Sequence, residues 1–344
     1  MVVASADSAT SKHQMVDPAW LALTDEAVIE PDLPIVDTHH HAWDLPAGRY
    51  LFDDLVQDFG SGHRIDATVY VQCYSMYRAD GPAEMKPVGE TEFINGYAAM
   101  SASGKYGATR IAAGIVSSAD ILLGGRIDAV LDAHQAVAGA RFKGIRPTTA
   151  WHEDAGLRAI EVAPGVMGNA QARAAIGRIA VRGLSLDLWN FFTQADEVAD
   201  LCRAFPDLTV IVDHCGGPIG IGPYADRQEE GFAAWKGMIA RIADCPNAVV
   251  KLGGLGMRYA GFGFNQWPAP PSSDDLVAAW GPHLRHCIDS FGPDRCLFES
   301  NFPMDKASCS YRVIWNAFKK LTRDFSAAER AAMFSGTARR VYRL

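Results

Sequence analysis

Residues 35–41 read Ile-Val-Asp-Thr-His-His-His, a short β-branched run that ends in three consecutive imidazoles. An apolar, β-branched stretch of this length suits a strand buried in a parallel sheet. The residues just past the strand separate two architectures. An open doubly wound sheet places a glycine-rich phosphate turn after its first strand, whereas this chain places histidines there. In a parallel barrel the loops after the C-terminal strand ends form the catalytic face, so polar residues at that point rank first as site candidates. Side chains alternate along an extended chain, which puts His39 and His41 on one face and His40 on the other.

Seven further runs of similar character occur at 67–73, 110–116, 140–146, 183–188, 209–214, 248–253 and 295–300, the first strand being 35–39. Between them the spacing predicts crossover helices over 90–103, 127–137, 170–181, 194–205, 231–243, 273–290 and 309–321, and a final helix over 326–342 with Ser326 as its N-cap. Eight strands alternating with helices predict an α/β fold, a (β/α)8 TIM barrel with long loops at the catalytic face. The expected organisation is a tail and lead-in segment over 1–30, its first fourteen or so residues loose, and a single barrel domain over 31–344. No repeat and no Pro/Ser linker divides the series.

Composition narrows the partners. The formal net charge is -8 and no Lys/Arg cluster occurs, which argues against nucleic acid and against an anionic membrane surface. A small-molecule substrate fits better, and a homo-oligomer is compatible with this composition. Seven cysteines are scattered without a CxxC pair, as suits a reducing compartment. The first residues lack the apolar core of a secretory signal, and no run nears the roughly 20 apolar residues of a spanning helix. A cytoplasmic location is the expectation.

A third imidazole, His214, closes the sixth run in Val212-Asp213-His214-Cys215-Gly216-Gly217. Alone it reads equally as a satisfied structural histidine, and His39 with His41 as a capping cluster. Together the three point at the barrel axis. Three neutral imidazoles with an open fourth position are the arrangement of a catalytic zinc that holds and acidifies a water. Other strand-end groups are candidate substrate handles: Gln72 and Tyr74 after the second strand, Arg146 after the fourth, Asp187 after the fifth and Lys251 on the seventh. Arg146 suits a carboxylate or carbonyl, with a structural ion pair as the alternative; Asp187 and Lys251 read equally as a buried charge pair. Lys143 should face away from Arg146. The insertions 43–63, 73–89 and 256–271 are long enough to be lids. Their rings, among them Trp43, Tyr50, Tyr74, Tyr77, Phe262, Phe264 and Trp267, would line a stacking pocket or pack the lids themselves.

Six stretches, PIVDTHHHAW, RFKGIRP, LSLDLW, VIVDHCGGP, VVKLGG and RCLFESNFP, stand in that order along the chain. They resemble the amidohydrolase-related family that includes 2-pyrone-4,6-dicarboxylate lactonase and the sugar-lactone hydrolases, from about Pro31 to Leu344. The resemblance implies an amidohydrolase-like barrel and hydrolysis of an aromatic- or sugar-derived lactone at His39, His41 and His214. Amide or ester hydrolysis, or decarboxylation of a hydroxy-aromatic acid, are the alternatives on the same fold. Metal use differs among relatives, so one divalent ion, zinc by preference, and metal-free catalysis both stand. The chain departs from the family at the eighth strand. Relatives carry a Ser-Asp-Trp-Pro-like motif whose Asp accepts a proton from the attacking water; here the residues are Ser300-Asn301-Phe302-Pro303. An amide is no general base. Asn301 is left to position water or substrate, and Glu299, Asp305 or a metal-activated water to take the base role. By alternation Glu299 shares a face with Asn301.

Overall fold

Each of the eight apolar runs becomes a strand in the computed structural model of the chain, which describes residues 15–46, 48–158 and 162–344. The strands are β1 (Ile35–His40), β2 (Ile65–Val71), β3 (Arg110–Ser117), β4 (Phe142–Ile145), β5 (Ser185–Leu188), β6 (Val210–Val212), β7 (Ala248–Leu252) and β8 (Cys296–Phe298). Each pairs in parallel with the next. The ring closes where β8 returns to β1: His40 and Phe302 form a parallel bridge, the His41 N–H donates to Phe302 O at 2.7 Å, and the Asn301 N–H donates to His39 O at 2.9 Å. The expected loose tail over 1–14 lies outside the described residues.

Crossover helices Val88–Ala102, Ile127–Ala138, Ala170–Val181, Ala195–Ala204, Gln228–Ala243, Ser273–Phe291 and Tyr311–Leu321 surround the barrel. Two elements differ from expectation. Ser326 caps its helix as predicted, but 326–342 is not one uniform helix: a π turn at Ala332–Gly336 separates Ala327–Ala331 from Thr337–Tyr342. The wider turn carries Phe334 onto Phe298 of β8, ring centroids 4.7 Å apart. The insertion 43–63, expected as a long lid loop, has regular structure of its own: an antiparallel ribbon, Trp43–Leu45 with Gly48–Tyr50, followed by a helix, Phe52–Phe59. No helix among the described residues is long and apolar enough to cross a membrane.

The barrel interior is layered along the strands, as the period of two demands. Val36, Ala67 and Ala113 pack with Ala338 toward the amino ends, and Val69, Val71, Val116, Ile211, Val249 and Leu297 form the next cluster with Val341 and Tyr342. The C-terminal helix therefore closes the amino-terminal mouth, and Lys143 donates there to Arg343 O at 3.0 Å, facing away from Arg146 as alternation requires. Above these apolar layers the inward positions turn polar: Asp187, Asp213, Lys251, Glu299 and His39 are all fully buried. Burying ions in this way is tolerable only if every charge is paired.

Candidate active site

Alternation along β1 separates its histidines as expected. His40 turns outward, its Nε2 2.8 Å from Thr68 Oγ1, and packs between Phe59 and Tyr70. His39 and His41 turn inward, with their Nε2 atoms 3.2 Å apart. His41 Nδ1 lies 2.8 Å from Val71 O, and since a carbonyl only accepts, that nitrogen carries the hydrogen and Nε2 keeps its lone pair. His214 Nδ1 meets Glu299 Oε1 at 2.7 Å. Burial pushes the Glu299 carboxyl upward, but His214 and His39 outweigh it and hold its pKa at about 2, so it accepts from the ring. The other oxygen, Oε2, lies 3.0 Å from His39 Nδ1, which Lys251 Nζ also approaches at 3.1 Å.

His214 reaches this carboxylate because the chain turns sharply behind β6. His214 and Cys215 adopt φ of 55° and 52°, which lets Asp213 and His214, adjacent in sequence, both join the site. Space for the ring is left by Gly254, where an added Cβ would stand 2.4 Å from His214 Nδ1. Burial holds His39 down to about 4 and His41 well below its ordinary value. Both are neutral near pH 7.

Beneath the rings runs an ion-pair layer. Lys251 Nζ sits 2.8 Å from Asp187 Oδ2 and 2.9 Å from Asp213 Oδ1. Burial works against the Lys251 charge, yet the two aspartates raise its pKa above the ordinary lysine value. Burial likewise works against Asp213, and Lys251 and His39 hold it well below the usual carboxylate range. Tyr342 donates to Asp187 Oδ2 at 2.7 Å. Arg146 joins from β4: Nη1 is 3.4 Å from Asp213 Oδ2 and 3.2 Å from His39 Nε2, and Nη2 donates to Gln72 O at 2.5 Å. Two cations thus face three carboxylates.

The donor set suits a divalent cation. Among the described residues, donor atoms of His39, His214 and Glu299 lie within 4.8 Å of one another. Two nitrogens at zinc distance and tetrahedral angle stand about 3.3 Å apart, close to the 3.2 Å between the Nε2 atoms of His39 and His41. Carboxylates on the Nδ1 side are the usual support for metal-binding imidazoles.

A cavity of about 160 Å³ opens above this centre, and His41, Trp43, Gln72, Tyr74, Arg146, His214 and Asn301 line it. Trp189, Thr148, Thr149, Met257 and Tyr259 also line the wall; the first three stand just past strand ends but were not singled out there, and the last two belong to the 256–271 insertion expected as a lid. Asp213 was also passed over, although alternation from Ile211 puts it on the inner face. Other candidates stand elsewhere. Tyr50 does not line the cavity: its hydroxyl donates to Asp58 at 2.6 Å, beside Lys306. Asp187 and Lys251 are the buried pair below the site rather than substrate handles. Glu299 lies one layer beneath Asn301. Asp305 is buried behind Asn301, accepting from Asn301 Nδ2 at 2.8 Å and from the Gly256 N–H at 3.0 Å, and burial raises its pKa to about 7. Phe264 packs against Trp280 and Trp267, and Phe262 lines a separate hollow of about 330 Å³ that shares no residue with the histidine cavity.

A family model for amidohydrolases matches residues 36–344. The protein y4mH of Sinorhizobium fredii is 33% identical over 327 residues, covering 91% of this chain and 99% of that protein. The L-fucono-1,5-lactonase of Burkholderia multivorans is 29% identical over 163 residues, 46% of this chain and 51% of the relative. Among solved structures, an amidohydrolase from Burkholderia multivorans with bound zinc superposes with a TM-score of 0.68 at 23% identity, over 90% of this chain and 99% of that one. That likeness is one of fold.

Proposed function

The chain belongs to the amidohydrolase family and is a hydrolase of that superfamily; from this premise we propose that it opens a small lactone at the cavity above His39, His41 and His214. The observation that carries the proposal is a cluster of three imidazoles at one cavity, His41 and His214 lining it and His39 buried just behind with its Nε2 3.2 Å from that of His41, the Nδ1 atoms of His41, His214 and His39 being set against Val71 O and the two oxygens of Glu299. The lactonase relative supports a cyclic ester over an amide. In the reaction water adds to the ring carbonyl, the ring C–O bond breaks, and the departing oxygen takes the proton that the water loses. One hydroxy acid results.

His39, His41 and His214 would hold one divalent ion, zinc by the choice of ligands, and the zinc bound by a structural neighbour supports that assignment. Such an ion polarises a carbonyl and acidifies water. The chain's own groups do the rest. Glu299 fixes ring orientation and strengthens the imidazoles as donors. Arg146 lines the cavity and presents its guanidinium to the carbonyl oxygen as charge develops there, or to the product carboxylate. Asn301 lines the cavity with an amide and takes no proton. Free thiols at all seven cysteines support a reducing, cytoplasmic setting.

A panel of lactones, linear esters and amides, assayed alongside the metal content of protein purified without chelator, tests the proposal. Lactone opening that chelation stops and zinc restores is expected. Turnover of amides alone would overturn the substrate assignment, and full activity in metal-free protein would overturn the ion.

A further inference from the structure

Two side-chain amides face the cavity, and both are locked. Gln72 follows β2 and Asn301 follows β8, so they stand on either side of β1 and its inward histidines. Gln72 is 1% exposed, and its Nε2 donates to Arg146 O at 3.1 Å. Asn301 is fully buried, and its Nδ2 donates to Asp305 Oδ1 at 2.8 Å. A carbonyl only accepts, so the Gln72 amide cannot flip without facing oxygen to oxygen, and the Asn301 amide is held in the same way while Asp305 is ionised. The remaining atoms, Gln72 Oε1 and Asn301 Oδ1, are buried and have no hydrogen-bond partner in the structure. A buried acceptor without a donor is costly, and a ligand that supplies the donor relieves that cost.

We propose that Gln72 Oε1 and Asn301 Oδ1 are the specificity-determining groups of the cavity, selecting a lactone that carries hydroxyl donors at two ring positions, with Asp305 as the positioning residue that sets the polarity of Asn301. The inference rests on the lactone reading above. It also explains what the amide at position 301 does. Asp305 uses one oxygen for Asn301 and the other for the Gly256 N–H. With Asn at position 305, the fixed Gly256 N–H claims the amide oxygen. The NH2 is left for Asn301, which must flip and present its own NH2 to the cavity. A substrate hydroxyl can still accept there, but so can a ketone.

Matched lactones bearing a hydroxyl, a keto group or hydrogen at each ring position test this through kcat/KM. In the wild type the hydroxylated ring should exceed the deoxy and keto rings by about 10²-fold or more at two positions, since sites built around a substrate hydroxyl reject analogues that lack it strongly. Asp305→Asn should narrow the hydroxyl-over-keto preference at one of those positions by about tenfold or more. Gln72→Met should erase the preference at the other and supplies the readout if Asp305→Asn does not fold. A uniform fall in rate with preferences unchanged in both variants would overturn the proposal, since that is what a purely structural role produces. If the wild type opens no lactone, the lactone reading fails on its own. Calorimetric binding of hydroxylated and deoxy cyclic ethers, which lack the scissile bond, then decides the inference: tighter binding of the hydroxylated ring upholds it, and equal binding overturns it.

Discussion

Arg146 Nη1 lies 3.2 Å from Nε2 of His39, on the lone pair that a metal ion would use. The guanidinium and a divalent cation therefore compete for one atom, and like charge adds to the competition. Arg146→Gln should hold its ion longer than the wild type during dialysis against a chelator, as elemental analysis over time would show. Turnover should nevertheless fall by about 10²-fold, the usual loss on removing one donor aimed at developing negative charge. Faster metal loss in the variant would show that Arg146 supports the ion instead.

His39 and His41 differ in what they hold. His41 touches Val71 O and the cavity, whereas His39 also lies against Glu299, Lys251 and Arg146 in the buried layer. His41→Ala should abolish measurable turnover and leave denaturant stability close to that of the wild type. His39→Ala should abolish turnover and also cost about 1–3 kcal/mol, the penalty for leaving buried polar groups unsatisfied. Equal stability losses in the two variants would contradict this division.

Asp305 gives a pH test that its neighbours do not blur. Burial raises its pKa from 3.8 to about 7, so between those values the native state binds the proton more tightly than the unfolded chain. Stability from this group is therefore greatest at low pH and is lost as pH rises from about 4 to 7. Asp37, raised to about 6 by burial, acts in the same direction, but it is common to the wild type and a variant and cancels in their difference. Urea unfolding of wild type and Asp305→Asn across this range should show the wild type losing stability relative to the variant as pH rises. A difference that is flat or of opposite slope would place the titration elsewhere.

Much of this site is legible in a period of two. Alternation puts His39 and His41 on one face and, from Leu297, Glu299 and Asn301 on one inner face. It does not say which face of β1 is inward: Val36 points into the barrel with Ala67 and Ala113, and the β1–β2 register shifts between Asp37 and His40 before His39 and His41 face the axis. Depth is not legible, because the stagger of neighbouring strands decides which inward residue reaches the mouth. Asp187 and Lys251 face inward as the pattern implies yet end one layer too low to touch a substrate. Asp213 and His214 both serve the site only because His214 takes φ of 55°, which no hydrophobic pattern encodes. Trp189, Thr149 and Tyr259 arrive on irregular loops, whose paths depend on tertiary contacts. Tyr50 ends the ribbon within the aromatic-rich insertion read as a lid, and its hydroxyl turns to Asp58 and not to the cavity that Trp43 of the same ribbon lines.

The layer below the rings makes the last prediction. Lys251 is fully buried and holds Asp187 and Asp213 at 2.8 Å and 2.9 Å while touching His39 Nδ1. Lys251→Met leaves those carboxylates without their cation, and breaking a buried pair from one side costs about 3–5 kcal/mol. Replacing both partners with apolar residues costs less, because no unpaired charge from that pair remains. Lys251→Met with Asp187→Leu should thus recover part of the stability that Lys251→Met loses, although Asp213 retains Arg146 and His39 without its lysine and Tyr342 loses its acceptor. Turnover should not recover, since the contact to His39 is gone in both. A double-mutant cycle in denaturant, run beside the lactone assay, separates the two roles. If the double variant were no more stable than Lys251→Met alone, the pair would not be the unit that holds this layer, and if it regained activity, the lysine would be irrelevant to His39.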